Sequence, residues 1–175
     1  MSFTFVLGGA RSGKSRFAQS LADGLTSVVF LATARADDDE MRSRILRHQK
    51  HRPSSWKTVE EPLAIVETLR HYAATCEGLI LDCLTLWLSN WCWENRDLKP
   101  EELEQSALGE LRRMVAGPLP PRLIVISNDV GTGLVPQSPV GRQFRDLQGL
   151  VNQEVAARAD RVYWMIAGLP VIVKG

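Results

Sequence analysis

A glycine-rich octapeptide near the start of the chain constrains its fold more than any other feature. Residues 8–15 read Gly-Gly-Ala-Arg-Ser-Gly-Lys-Ser and fit the phosphate-binding pattern G-x-x-x-x-G-K-[ST]. The apolar run at 3–7 predicts a buried strand before this loop, and Phe17, Ala18 and Leu21 follow it at helical spacing. Strand, glycine loop and helix form the context that the loop requires, so the sequence predicts a site for a nucleoside triphosphate.

The chemistry of the loop assigns roles to its residues. Glycines let backbone N–H groups surround an anion, and the helix N-terminus adds partial positive charge. Lys14 is predicted to reach the β- and γ-phosphates, and the Ser15 hydroxyl is predicted to bind Mg²⁺. The predicted nucleotide-binding residues of the loop are Gly8, Gly9, Ala10, Arg11, Ser12, Gly13, Lys14 and Ser15.

Short apolar runs alternate with helical patterns through most of the chain. The runs at 28–32, 79–82 and 123–127 predict buried strands. Such alternation predicts an α/β fold of the P-loop NTPase type, a mainly parallel, doubly wound sheet with helices on both faces. The runs at 162–166 and 171–173 predict a C-terminal antiparallel hairpin. A length of 175 residues suits one domain, so 1–175 is predicted to be a single nucleotide-binding catalytic domain.

Composition excludes several classes of protein. A net charge of +1 argues against a protein held to nucleic acid mainly by phosphate attraction. No apolar run reaches the roughly 18 residues of a transmembrane helix, and the first strand begins too early for a signal peptide. The three cysteines lack C-x-x-C spacing, which favours reduced thiols. We therefore expect a cytoplasmic protein.

Two further positions are predicted at the carboxyl ends of strands, where ligands bind in open α/β sheets. Thr33-Ala34-Arg35 follows the second strand, and Asp82 ends a later apolar strand. Asp82 is the expected partner of Mg²⁺, with capping of the next helix as the alternative. Glu60 is either structural or a hydrogen-bond acceptor for a ribose or base.

His48 has two interpretations. The sequence predicts a helix from Asp37 to about His51 that ends before Pro53, and on it His48 shares a face with Met41 and Ile45. A histidine on an apolar face is most often a packing residue. The alternative is a neutral imidazole that attacks a phosphorus centre, with nearby basic side chains stabilising the charge.

Several motifs together resemble the bifunctional adenosylcobinamide kinase/adenosylcobinamide-phosphate guanylyltransferases of cobalamin biosynthesis. The similarity spans nearly the whole chain and rests on 8–18, Asp38 to Met41, Arg44-Ile45, His48, Arg52-Pro53, Trp56, 82–90, Ser127-Asn128, Val130-Gly131, Val135-Pro136, 144–146, Gly149, Val151-Asn152 and 167–170. In this sequence Asp129 stands where the family usually has Glu, which shortens one side chain in a predicted substrate loop.

The resemblance implies two reactions. A nucleoside triphosphate, ATP or GTP, phosphorylates adenosylcobinamide; GTP then donates GMP to the resulting phosphate, with pyrophosphate as the second product. It implies that His48 carries GMP covalently, and it implies a trimer. Lys14 is the second expected catalytic residue, and Ser15 and Asp82 are the expected ligands of Mg²⁺, as the chemistry of the loop and of the strand end predicts. The implied nucleotide contacts beyond the loop are Thr33, Ala34, Arg35, Gln49, Lys50, His51, Arg52, Glu60 and Asp82.

Two other functions compete with this one. A P-loop small-molecule kinase would use His48 only for packing and would never carry GMP. A nucleotide-controlled binding module would hydrolyse slowly, need no acceptor and release no pyrophosphate. The sequence contains no separate partner-binding segment, so the module ranks last.

Overall fold

Strands and helices alternate as the apolar runs predict. The computed structural model describes residues 1–35 and 53–175. Within these ranges the strands are β1 (Ser2–Gly8), β2 (Val28–Ala32), β3 (Lys57–Glu60), β4 (Gly78–Asp82), β5 (Arg122–Asn128), β6 (Arg161–Ile166) and β7 (Leu169–Lys174). The helices are α1 (Lys14–Ser20), α2 (Ile65–Tyr72), α3 (Leu84–Glu94), α4 (Pro100–Ala116) and α5 (Pro139–Arg158).

The strands form one sheet in the order β3-β2-β4-β5-β1-β6-β7. Every neighbouring pair is parallel except β6 and β7, which form an antiparallel hairpin. The predicted α/β fold with a C-terminal antiparallel pair is therefore confirmed. Because β5 lies between β1 and β4, the carboxyl ends of these three strands meet at one edge of the sheet.

The central strands are apolar on both sides because helices cover both faces of the sheet. One cluster of buried residues joins one face to α2, α3, α4 and α5, and it includes Phe5, Leu31, Leu81 and Val125. The second cluster joins the opposite face to α1 and includes Val6, Phe30, Ile80, Ile124 and Ile126. Alternate residues of each strand therefore belong to different layers, as a pleated strand requires.

Proline and capping residues define the starts of the two longest helices. Pro100 and Pro139 each occupy a first helical position, where proline loses no intrahelical hydrogen bond. Ser138 Oγ accepts a hydrogen bond of 3.1 Å from the Gly141 N–H, and the Lys99 N–H donates to Glu102 Oε2 at 3.0 Å.

Helix α3 is less buried than its apolar sequence suggests. Trp87 and Leu88 are fully buried, and Trp87 Nε1 donates to the Leu63 carbonyl at 3.1 Å. Trp93, however, is 65% exposed. One face of α3 packs on the sheet, and the opposite face is open in this single chain.

None of the helices in 1–35 and 53–175 is long and apolar enough to cross a membrane. Cys76, Cys83 and Cys92 are all unpaired, and the first two are buried.

Candidate nucleotide-binding site

The glycine loop turns between the end of β1 and the start of α1. Gly13 has a φ of 94°, a conformation that glycine adopts without steric cost, and it directly precedes the first residue of the helix. The Lys14 side chain folds back over the loop and donates a hydrogen bond of 2.6 Å to the Gly9 carbonyl. The loop thus forms the compact turn that phosphate binding requires.

Lys14 is a buried cation in this turn, with a side chain only 8% exposed. Burial lowers its pKa, and ionised Cys83 or Asp82 opposes that shift. Burial also raises the pKa of the Cys83 thiol to about 12, so this thiol is protonated and uncharged at neutral pH. Asp82 is therefore the neighbour whose negative charge favours protonated Lys14 at neutral pH, and a bound phosphate would supply further negative charge.

Ser15 and Asp82 lie together although they are far apart in sequence. Ser15 Oγ, in the first turn of α1, donates a hydrogen bond of 2.8 Å to Asp82 Oδ2 at the end of β4. In the sheet, β5 separates β4 from β1, the strand that leads into the glycine loop. A hydroxyl and a carboxylate are the hard oxygen ligands that Mg²⁺ prefers. Within 1–35 and 53–175 no group of three His, Cys, Asp or Glu side chains could hold a metal ion. The hydroxyl and the carboxylate could supply two oxygen ligands, and an ion bound there would take its remaining ligands from phosphate and water.

Thr33 links the ends of two neighbouring strands. Its N–H donates to the Asp82 carbonyl at 3.0 Å. Its hydroxyl donates to the Cys83 carbonyl at 2.7 Å and accepts from the Cys83 N–H at 2.8 Å. Thr33 is fully buried, so its side chain fixes the main chain beside Asp82 and is not open to solvent.

The other predicted residues on this edge have different surroundings. Glu60, Ala32 and Asp82 are in register across β3, β2 and β4, so both carboxylates stand at the same edge of the sheet. Arg35 forms an ion pair of 2.9 Å with Glu94 at the end of α3. Glu60 is exposed, and Ala34 is half-buried.

The predicted residues His48, Gln49, Lys50, His51 and Arg52 lie outside the described residues, as does the helix expected between Asp37 and His51. These assignments rest on the sequence. Among the predicted site residues, the described structure brings together Lys14, Ser15 and Asp82, with Thr33 bonded to the main chain of Asp82.

The structure adds the C-terminal hairpin and the loop after β5 to the surroundings of the glycine loop. The Gly168 N–H donates to the Ser12 carbonyl at 3.0 Å, and a Cβ at Gly13 would lie 3.2 Å from Gly168 Cα. The Asp129 N–H donates to the Gly8 carbonyl at 3.0 Å. The sequence indicated a hairpin turn at 168 and a loop at 129, but it contained no signal that either contacts residues 8–13.

Comparisons with known proteins connect this geometry to a family. Residues 4–173 match the family described as cobinamide kinase / cobinamide phosphate guanyltransferase. The bifunctional adenosylcobalamin biosynthesis protein CobP of Pseudomonas aeruginosa is 45% identical over 174 residues, which cover 97% of this chain and 96% of that protein. The corresponding protein CobU of Escherichia coli is 36% identical over 177 residues, covering 97% and 98%.

A solved structure supports the fold. A prototypical ATPase from the type III secretion system of pathogenic bacteria superposes with a TM-score of 0.53 at 14% identity. The alignment covers 92% of this chain and 50% of the ATPase. At this identity the likeness concerns the fold alone, and it agrees with a P-loop α/β architecture.

Proposed function

The chain belongs to the cobinamide kinase / cobinamide phosphate guanyltransferase family, and from this premise we propose how its residues perform two reactions. It is a bifunctional enzyme that phosphorylates cobinamide and then transfers a guanylyl group to cobinamide phosphate. The comparisons contain nothing that favours a kinase without the second step.

The cluster of Lys14, Ser15 and Asp82 carries the proposal for the kinase step. The nucleotide's triphosphate lies along residues 8–15, and its β- and γ-phosphates face Lys14. The aminopropanol hydroxyl of adenosylcobinamide attacks the γ-phosphorus, and the new P–O bond forms as the bond to the β-phosphate oxygen breaks. The nucleoside diphosphate leaves, and the proton of the hydroxyl passes to water. Positioning and charge neutralisation are sufficient for this transfer, so no covalent enzyme intermediate is needed.

Ser15 and Asp82 would hold Mg²⁺, Ser15 through its hydroxyl and Asp82 through its carboxylate, directly or by way of water. When bound, Mg²⁺ supplies positive charge between neighbouring phosphate groups. Thr33 supports this arrangement by fixing the Asp82 main chain. Ala34, Arg35 and Glu60 stand at the same edge of the sheet, and we assign them to the nucleotide's ribose and base; Arg35 would exchange its ion pair with Glu94 for this contact.

For the guanylyl step we assign His48 as the nucleophile, on the sequence resemblance. A neutral imidazole nitrogen of His48 attacks the α-phosphorus of GTP, forming a P–N bond, and pyrophosphate leaves. A phosphate oxygen of adenosylcobinamide phosphate then attacks the same phosphorus and breaks the P–N bond, which yields adenosylcobinamide-GDP. Gln49, Lys50, His51 and Arg52 are the proposed contacts to this nucleotide.

We further propose that residues 1–175 form a single catalytic domain in a cytoplasmic trimer. Three unpaired cysteines suit a reducing compartment. The 65%-exposed Trp93 and the indole N–H of Trp91, which is buried without a partner among the described residues, favour an additional contact at the end of α3. A trimer would cover this region with a neighbouring subunit.

The direct test is incubation with GTP and Mg²⁺ followed by intact-mass measurement. The two-step enzyme is expected to gain one GMP unit and release one equivalent of pyrophosphate before any cobinamide is added. Lys14→Ala should impair both reactions, because one triphosphate site serves both, whereas Lys57→Ala at the opposite end of the sheet should impair neither. A chain that phosphorylates cobinamide but never gains GMP would instead be a simple kinase.

A further inference from the structure

A closed ring of hydrogen bonds surrounds the peptide of Asn128 at the end of β5. The Asn128 N–H donates to Thr85 Oγ1 at 2.9 Å, and the Asn128 carbonyl accepts from Asn152 Nδ2 at 3.1 Å. Ser127 joins these two side chains, because its Oγ lies 3.4 Å from Thr85 Oγ1 and donates to Asn152 Oδ1 at 2.7 Å. Asn128 is therefore held from α3 on one side and from α5 on the other.

Gln148 reinforces the ring from within α5. Its Nε2 donates to Ser127 Oγ at 3.1 Å and to Asn152 Oδ1 at 2.9 Å. Gln148 and Ser127 are both fully buried, and Gln148 Oε1 has no partner among the described residues. Buried polar groups lower stability unless they are paired, whereas a connected network holds its members rigidly. The ring thus maintains a rigid peptide at this strand end, despite the cost of one unpaired oxygen.

The Asn128 side chain lies on the opposite face of the sheet from this ring. Successive side chains of a strand alternate between faces, and Ser127 faces α3 and α5. Asn128 therefore belongs to the face covered by α1, together with Ile124 and Ile126. Asp82 stands on that face too, since it accepts the hydrogen bond from Ser15 of α1.

The strand order places the Asn128 amide between the glycine loop and Asp82. Asn128 is in register with Gly8 on β1, and β5 is the strand between β1 and β4. Neighbouring strands lie about 5 Å apart. Groups at the ends of β1 and β4, on either side of Asn128, are therefore within reach of a single phosphate. The half-buried Asn128 amide makes no hydrogen bond to the described residues.

We propose that the Asn128 amide donates a hydrogen bond to the terminal phosphate of the bound nucleoside triphosphate. In this arrangement Thr85, Ser127, Gln148 and Asn152 are positioning residues. Lys14 reaches the β- and γ-phosphates from the loop, and Ser15 and Asp82 would hold a divalent cation that supplies further positive charge there. Asn128 lies between these elements and faces the γ-phosphate. The inference rests on the proposed function only in requiring a triphosphate at residues 8–15.

The test is the ratio of GTP affinity to GDP affinity, measured by direct binding in the presence of Mg²⁺. Asn128→Ala should lower this ratio about tenfold, the effect of losing one hydrogen bond to a charged group. Asn128→Asp should lower it further, because a carboxylate repels the terminal phosphate. Asn95→Asp is the matched control: Asn95 ends α3, one helix length from the site, and should leave the ratio unchanged.

The positioning role has a separate test within the ring. Thr85→Val keeps the shape of the side chain but removes the hydroxyl that accepts from Asn128; Thr85→Ser keeps the hydroxyl. Thr85→Val should lower the GTP-to-GDP affinity ratio, whereas Thr85→Ser should keep it near the wild-type value. Both are measured at a temperature where thermal melts show the variants folded. Equal ratios in the two folded variants would contradict the positioning role.

The outcomes separate this inference from the proposed function. A wild-type protein that prefers GTP but never transfers GMP contradicts the proposed function alone. An unchanged ratio in Asn128→Asp contradicts the phosphate contact alone. A wild-type protein that binds neither nucleotide contradicts both.

Discussion

Ser15 Oγ donates a 2.8 Å hydrogen bond to Asp82 Oδ2, which joins the first turn of α1 to the end of a strand 67 residues further along the chain. The contact brings a hydroxyl and a carboxylate together beside Lys14. Asp82 also opposes the lowering of the pKa of Lys14 by burial.

Asp82→Asn should weaken the response to Mg²⁺ and leave the fold intact. An amide oxygen can still accept the hydrogen bond from Ser15, but it lacks the charge that holds a divalent cation. The Mg²⁺ concentration for half-maximal turnover should rise about 10- to 100-fold. Asp97→Asn, at an exposed position in the turn after α3, is the matched control. An unchanged Mg²⁺ titration for Asp82→Asn would remove this residue from the metal site.

Because Lys14 loses its proton as the pH rises above neutral, stability and nucleotide affinity should both change with pH. Stability should rise and nucleotide affinity should fall. Burial lowers its pKa below 10.5 in the folded state, so the unfolded chain binds the proton more tightly. Between these two pKa values the stability contributed by Lys14 therefore increases as pH rises. Nucleotide affinity should decrease over the same range, because neutral lysine no longer attracts phosphate.

The pH measurement pairs the nucleotide-free wild type with Lys14→Met. The difference between their free energies of unfolding, obtained from denaturant titrations, should grow in favour of the wild type from neutral pH toward pH 10.5. A difference that stays constant across this range would mean that the pKa of Lys14 is not lowered.

His48→Ala should abolish GMP attachment and guanylyl transfer while kinase activity remains measurable. The kinase step attacks the γ-phosphorus and requires no covalent intermediate, whereas the guanylyl step passes through the histidine. The wild-type adduct should be labile to acid and stable to alkali, as a phosphoramidate is. His71→Ala, at an exposed position on α2, is the control. Wild-type production of adenosylcobinamide-GDP by His48→Ala would restore the packing interpretation of His48.

Gly8→Ala and Gly9→Ala should differ although the residues are neighbours. A Cβ at Gly8 would lie 2.7 Å from Ser12 Oγ and 2.8 Å from the Met165 carbonyl, whereas a Cβ at Gly9 would meet nothing within 4 Å. Overpacking of this kind lowers stability by about 1–3 kcal/mol. Thermal melts of the nucleotide-free variants should show a lower Tm for Gly8→Ala only; equal melting temperatures would contradict the close approach of Met165.

Local patterns predicted the elements of the sheet well. The run at 28–32 became β2 with every residue buried, and the run at 123–127 became the core of β5. Helix α3 shows the limit of such reasoning. Its sequence is apolar on every side, but periodicity cannot reveal which side meets the sheet, and Trp93 remains exposed.

The sequence by itself determined the phosphate-binding loop, the alternation of strands and helices, and the acidic end of β4. These features depend on neighbouring residues, because glycine conformations, side-chain periodicity and capping act over a few positions. Only the tertiary structure decided the order of the strands. It also decided the contacts between Ser15 and Asp82, between Ser12 and Gly168, and around Asn128. Each of these joins residues that lie far apart along the chain. Their contacts follow from which strands become neighbours and in what register, and a single sequence does not specify either.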